Sequence, residues 1–375
     1  MDSRTTATSG TKSTSACYCE CTTAHWKILP GFFLSITIAV TWVASTELIV
    51  DIYRPGFLSP FFITYFSSAW IILFYPLYMI IASIYLRGTV TGKDLFRDSL
   101  QIYRKQTFQV LPFLWKTTLF CLMWTLTNYV YIRSILILSA MDVTALFSTS
   151  QSFVYMLSWI VLFEKFVAIR IVAMIFSITG IVLFAYVDGF GSPSMWGVVL
   201  AAVSASSASV HKVLFKKFVG DASYGQTSLF LSLIGVGCIA CLWPILLALY
   251  FTQAEALDFS VIPWGYLSGA SALMFVYQSM VYYGVTVTYQ MFIGLGLVFG
   301  LPLCAAADLH WRDDTFPGMK TAAIVLIAIG LLLILLPEDW HDSFLKLIRW
   351  KKRSDMPPVA QTPRSRLRGT ALSLY

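Results

Sequence analysis

Asparagine is almost missing from these 375 residues. The single example, Asn128, is followed by Tyr129 and Val130, so the chain offers no N-glycosylation sequon. Charge is scarce too. Asp, Glu, Lys and Arg supply 12% of the residues, about half the share of an ordinary soluble domain. So little charge cannot clothe a large water-exposed surface. HExxH, GxSxG and Walker-loop patterns are absent, and the four histidines are scattered at 25, 211, 310 and 341. The sequence therefore reads as non-enzymatic, with no cofactor and no metal. A secretory signal is not expected: about 27 polar residues precede the first apolar run, and the first helix is expected to act as an uncleaved insertion signal.

Cysteine is present but does not form a framework. Cys121, Cys238, Cys241 and Cys304 sit in apolar runs and read as packing residues. The CxxC pair Cys238-Cys241 lies in "GVGCIACLWP", the setting of a spanning helix rather than a redox loop. Cys17, Cys19 and Cys21 form "CYCEC" in a Ser/Thr-rich tail. Three close thiols are few for a metal site, and lipid-modified and free cysteines both stay open.

What the chain has is hydrophobicity: 58% of residues are apolar. Ten runs of spanning length fall near 28–50, 59–86, 112–138, 143–163, 169–187, 195–215, 227–251, 263–284, 287–307 and 318–337. The expected fold is an all-α polytopic membrane protein. With ten spans both tails share one side, which carries 22 of the 26 Lys and Arg; Arg54, Arg133, Arg312 and Lys320 lie opposite. The positive-inside rule then puts both termini in the cytosol, with plasma membrane or endomembrane (Golgi or endosomal) undecided. The net charge of +7 is explained by this asymmetry and calls for no nucleic acid. Basic and aromatic residues in "WHDSFLKLIRWKKR" open two readings for Lys346–Arg353: contact with anionic lipid, or ordinary positive-inside charge. A homodimer also stays open.

The halves resemble each other. At an offset of 144, Val143-Thr144 meets Val287-Thr288 and Glu164 meets Asp308; at an offset of 150, Arg170 meets Lys320, Gly180 meets Gly330 and Asp188 meets Glu338. The repeat unit is five helices, an odd number, so the second copy enters the membrane inverted, as in many secondary transporters. The expected organisation is a cytosolic tail 1–27, a first repeat 28–190, a second repeat 191–340 and a basic cytosolic tail 341–375.

Within the fourth helix, Thr144, Ser148, Gln151, Tyr155 and Ser158 are spaced 4, 3, 4, 3, one polar stripe on a continuous helix. Gln151 lies about 13–14 Å from Asp142 along that helix, near the bilayer midplane. A water-filled cavity or interhelical bonding would each explain the stripe. Matching faces come from Trp124, Asn128 and Tyr131, from Ser204, Ser207 and His211, and from Phe275, Gln278 and Tyr282 with Tyr277 beside them. Gly294, Gly296 and Gly300 allow close helix approach or leave room for a ligand. The candidate solute-binding residues are thus Glu47, Trp124, Asn128, Tyr131, Ser148, Gln151, Tyr155, Tyr277, Gln278 and Tyr282. Glu47 could attract a cation or sit at headgroup level. Arg133 is placed to pair with Glu47 or Asp142. Glu164 and Asp308, with Arg133, read as gate or helix-end residues.

The stretches "FFITYFSSAW", "WTLTNYVY", "DVTALF", "RIVAMIFSITGIV", "SASSASVHKVLFKKFVG", "IPWG", "LGLVFGLP" and "LLILLPEDW" resemble the drug/metabolite transporter superfamily over roughly residues 40–341. Within it they are similar to the F subfamily of the solute-carrier family that also holds nucleotide-sugar transporters. The resemblance implies ten helices in two inverted halves, alternating access and, through a thiamine-linked member, thiamine as solute. The chain departs from the family pattern at Ser148-Thr149-Ser150-Gln151, where Cys-Cys-Asn-Lys is usual, at Glu47 in place of Gln, and at Arg133 in place of His or an apolar residue. A lost cation and a gained carboxylate would suit a cationic solute. A nucleotide-sugar or nucleotide exchanger and a non-transporting receptor or scaffold remain as alternatives.

Overall fold

A computed structural model describes residues 13–85, 92–100, 110–165, 167–187, 189, 191–220, 222–255, 257, 259, 261–287, 290–312 and 318–336. Lys346–Arg353, Asp188 and Glu338 lie outside the described residues, as do the side chains of Cys17, Cys19 and Cys21. All the regular structure is helical among the described residues. The helices are α1 (Ser13–Tyr53), α2 (Pro60–Ala69), α3 (Phe74–Tyr85), α4 (Gly92–Ser99), α5 (Val110–Ile135), α6 (Ala140–Ser148) and α7 (Ser150–Leu162). They continue with α8 (Ala168–Val187), α9 (Pro193–Val219), α10 (Tyr224–Phe251), α11 (Trp264–Val287), α12 (Gln290–Arg312) and α13 (Gly318–Ile334). A 3-10 turn, Trp70–Leu73, joins α2 to α3. The helices pack as one unit that ends at Leu335. Helix α1 begins at Ser13, inside the stretch read as the N-terminal tail.

Seven helical stretches are long and apolar enough to cross a membrane, and Gly318–Ile334 is a shorter apolar helix. Large apolar side chains such as Phe33, Ile84, Trp196 and Phe251 stand exposed on the outside, a surface suited to lipid rather than water. The chain is an integral, multi-pass membrane protein. Helices α5 and α11 are not among the seven. Polar residues dilute them: Lys116, Thr127, Asn128 and Arg133 in α5, and Ser268, Ser271, Gln278 and Ser279 in α11. These two helices also supply most of the wall of the central cavity described below.

Local chemistry sets the helix ends. Ser139 caps α6 by accepting from Asp142 N at 3.2 Å. Ser192 caps α9 in the same way, with Pro193 at the first helical position. Ser223 and Gln226 form a capping box at α10.

Small residues then bring the helices together. A Cβ on Gly296 of α12 would stand 2.8 Å from Ile38 Cγ2 and 3.0 Å from the Ser35 carbonyl of α1. Gly300 faces the Trp42 ring at 3.3 Å. The α12 glycines therefore serve close helix approach, not room for a ligand. Ser35 Oγ locks the same seam by donating to Phe292 O at 2.6 Å.

Candidate functional site

The polar run that interrupts the fourth apolar segment resolves into two helices. Thr149 separates α6 from α7, and the ladder tightens there: Thr149 N bonds Leu146 O and Ser152 N bonds Thr149 O, both three residues back. Most hydroxyls around the break are occupied, and the buried Ser150 Oγ has no hydrogen-bond partner among the described residues. Ser148 Oγ donates to Ala145 O at 2.7 Å and Thr149 Oγ1 to Leu146 O at 2.6 Å. Ser152 Oγ meets Ser177 Oγ of α8 at 2.7 Å, and Ser209 Oγ of α9 donates to Ser150 O at 2.8 Å. Back-bonding bends and tightens a helix, and the cross-helix bonds hold it to its neighbours. The stripe expected on one straight helix is therefore broken at Thr149.

A central cavity of about 70 Å³ lies between α1, α5, α6, α9 and α11. Helix α5 contributes Trp124, Thr127, Asn128 and Tyr131; α11 contributes Met274, Tyr277, Gln278, Val281 and Tyr282. The sequence-predicted residues Trp124, Asn128, Tyr131, Tyr277, Gln278 and Tyr282 thus come together at one place. Trp42 closes one wall, stacked on Tyr277 at 6.1 Å between centroids and tilted against Phe147 at 5.8 Å. Tyr131 packs edge-on to Phe147 at 5.0 Å, and its hydroxyl lies 2.8 Å from Thr46 Oγ1. Asn128 Nδ2 donates to Trp124 O at 2.9 Å, a bond that leaves its carbonyl oxygen unengaged.

The other predicted residues lie elsewhere. Ser148 is buried, and Gln151 is half-buried but does not line the cavity. Tyr155 faces a separate groove, where Arg170 sits over its ring at 4.3 Å. Glu47 borders a third groove between α1 and α12, with its Oε1 3.9 Å from Cys304 Sγ.

The expected helix-end residues hold the ends of the bundle. Asp308 Oδ2 accepts from Met141 N at 2.8 Å, and Asp142 Oδ2 accepts from Lys320 Nζ at 2.9 Å. At the opposite end, Glu164 Oε1 accepts from Lys216 Nζ at 2.6 Å. Arg133 is an electrostatic neighbour of Glu255, in the loop after α10. Burial holds the Glu255 carboxyl above its usual range, opposed by the Phe61 N–H at 3.0 Å and by Arg133.

Counting charges by side missed Lys212. It belongs to α9, on the same face as Ala208 and His211, and it lines the cavity. Seven residues separate it from the end of α9, about 10 Å at the helical rise. Its 3/4 spacing from Ala208 was the available signal. Among the cavity-lining residues there is no Asp or Glu to balance it. His211 is buried against Phe120 and Trp124, and its Nε2 has no hydrogen-bond partner among the described residues.

Solute carrier family 35 member F3 of Homo sapiens is 37% identical to this chain over 335 residues, 89% of this chain and 79% of that protein. The chain belongs to solute carrier family 35. Member F4 of Mus musculus, also of family 35, is 36% identical over 363 residues, covering 93% of this chain and 73% of that protein. A more distant similarity, 23% over 339 residues, links it to the thiamine-repressible mitochondrial transport protein THI74 of Saccharomyces cerevisiae, with 81% and 90% covered. No protein-family model matches. As a family 35 solute carrier the chain is a membrane transporter of a small-molecule solute, not an enzyme. Helices α5 and α11, which carry Asn128 and Gln278, supply most of the wall of the central cavity.

Proposed function

We propose that this carrier moves a small, ring-containing organic solute bearing a negatively charged group, by alternating access. One observation carries the reading: Lys212 lies in an aromatic-walled cavity that holds no carboxylate among its lining residues. An ammonium inside a low-dielectric bundle is costly unless it meets an anion. Trp42, Trp124 and Tyr277 offer ring faces for stacking, while Asn128 and Gln278 offer amides to fix orientation. A nucleotide or nucleotide sugar presents this combination. Thiamine, a cation with rings, satisfies the walls but not Lys212, and Glu47, which would have favoured it, borders another groove.

Alternating access rests on two inverted halves, 28–190 and 191–340, of five helices each, with both termini cytosolic. The n+150 correspondence supports this arrangement. Gly180 of α8 packs on Ala323 and Ile327 of α13, while Gly330 packs on Ala173 and Ser177, the residues 150 positions before that pair. Contacts that exchange under the repeat are those expected of a two-fold related, antiparallel helix pair.

Proteoliposomes carrying the full chain test the reading with labelled thiamine, a nucleoside monophosphate and a panel of nucleotide sugars. The expected result is saturable uptake of an anionic ring solute that falls about tenfold or more in Lys212→Gln, the loss of one charge-assisted contact. Uptake of thiamine alone, unchanged by Lys212→Gln, overturns it. Uptake of none of these solutes favours a receptor or scaffold.

A further inference from the structure

The groove between α7 and α8 has no part in the central cavity. It runs along the outside of the bundle, from Ser152 and Tyr155 to Glu164, Lys165 and Arg170. The two helices form an antiparallel hairpin: Arg170 lies over Tyr155, and Ser177 meets Ser152. The turn between them begins at Phe163, in the left-handed conformation with φ 54°, and its ring is 88% exposed. An apolar ring so exposed beside charged residues marks the boundary between hydrocarbon and water.

Below that boundary the flanks are apolar. Trp159 and Ile160 on α7 and Ile171 on α8 are exposed, and Met156 and Met174 line the floor. From Glu164 to Ser152 is twelve residues, about 18 Å at the helical rise. Half the hydrocarbon thickness of a bilayer is about 15 Å. The groove therefore has the length of one acyl chain's leaflet.

Two cations, Lys165 and Arg170, and one carboxylate, Glu164, line the groove. Glu164 is already engaged by Lys216 Nζ at 2.6 Å. The Arg170 guanidinium carbon lies 4.3 Å from the centroid of the Tyr155 ring, a cation–π contact within the groove. A planar guanidinium and an ammonium lining a chain-length apolar slot match a phosphate-headed, singly anionic lipid. A headgroup of zero net charge would leave the two cations less well balanced.

The geometry points to a binding site for one anionic phospholipid, its phosphate between Arg170 and Lys165 and one acyl chain along Met156, Trp159 and Met174. The site lies at the basic end of the bundle. The lipid would brace the α7–α8 hairpin, which joins at the Thr149 break to α6, whose Phe147 lines the central cavity.

Native mass spectrometry of the full chain tests this, with added phosphatidylserine or phosphatidylcholine as probes. Wild type is expected to retain phosphatidylserine preferentially, and Arg170→Ala to lower that preference about fivefold. Lys217→Ala, an exposed basic residue at the same end but outside the groove, serves as the control and should leave it unchanged. Arg170→Lys, which keeps the charge and loses the planar guanidinium, should restore part of the preference and shows that the effect is not simple misfolding. Equal retention by wild type and Arg170→Ala overturns the site. So does an equal loss in Lys217→Ala, which would mean diffuse charge. Displacement of the lipid by millimolar inorganic phosphate would assign the cations to a free anion and likewise overturn it.

Discussion

Gly180 of α8 lies so close to Ile327 of α13 that a Cβ on the glycine would stand 2.5 Å from Ile327 Cγ1. The Ala323 carbonyl oxygen is farther, at 3.2 Å, whereas in the partner contact, Gly330 against α8, the backbone is among the nearest atoms. A Cβ there would stand 2.8 Å from the Ala173 carbonyl oxygen, a backbone atom. Side chains can yield by changing rotamer, and a helix backbone cannot.

Gly330→Ala should therefore destabilise the protein more than Gly180→Ala, with an overpacking cost of about 1–3 kcal/mol for Gly330→Ala. Thermal unfolding of the detergent-solubilised protein reads the difference. Adding Ile327→Val to Gly180→Ala should recover part of its loss, because the clash is with a side chain. A Gly330→Ala protein as stable as wild type would mean that the two helices are further apart.

Lys212 makes a prediction that separates stability from transport. Its charge has no carboxylate in the cavity wall to meet it when no solute is bound. Lys212→Met should then hold or raise the melting temperature while abolishing the stabilisation that an anionic solute confers. Mass action predicts about 2.7 kcal/mol of such stabilisation in wild type at a hundredfold excess over Kd. Loss of stability in Lys212→Met without solute would make the lysine a structural residue.

The Asp142–Lys320 pair is short and well buried, with side-chain exposures of 4% and 18%. Removing one member leaves the other charge in a poor solvent, so Asp142→Asn and Lys320→Met should each cost about 3 kcal/mol. The double variant should cost less than the sum, a coupling of about 1–3 kcal/mol. A double-mutant cycle on unfolding measures it, and strict additivity would show that the pair does not act as a unit. The Glu164–Lys216 pair at the other end is more open, with side-chain exposures of 33% and 59%. The corresponding cycle there should show a coupling below about 1 kcal/mol.

How far the site could be read from the sequence depended on the straightness of each helix. Trp124, Asn128 and Tyr131 lie within one unbroken helix, α5, and their 3/4 spacing placed them on one face. The same holds for Gln278 and Tyr282 in α11. Ser148, Gln151 and Tyr155 obeyed the same spacing, but α6 ends at Ser148 and α7 starts anew at Ser150. Periodicity assumes a uniform twist, and the tightened turn at Thr149 resets it. Lys212 was hidden for another reason. A count of basic residues assigns a side, whereas depth along a helix is what brings Lys212 to the cavity. The reciprocal packing of Gly180 and Gly330 was legible only as two glycines in register; which residues they meet depends on the approach of α8 to α13.

Glu255 supplies the pH prediction. Its carboxyl is held above its usual range by burial, in the loop that accepts the Phe61 N–H. A raised acid pKa means that the folded chain binds a proton more readily than the unfolded chain. In the window between the ordinary and the raised value, the folded state carries more protons, so stability falls as pH rises through that window and is recovered as pH falls. Glu255→Gln keeps a carbonyl acceptor for Phe61 N and removes the titration. The variant should be more stable than wild type above the window and should lose this component of the pH dependence within it. Melting temperature followed from about pH 4 to pH 8 in both proteins checks this, since the ordinary glutamate value lies near the lower limit. Parallel curves would show that the carboxyl titrates as it does in water, with the Phe61 N–H and Arg133 offsetting the burial.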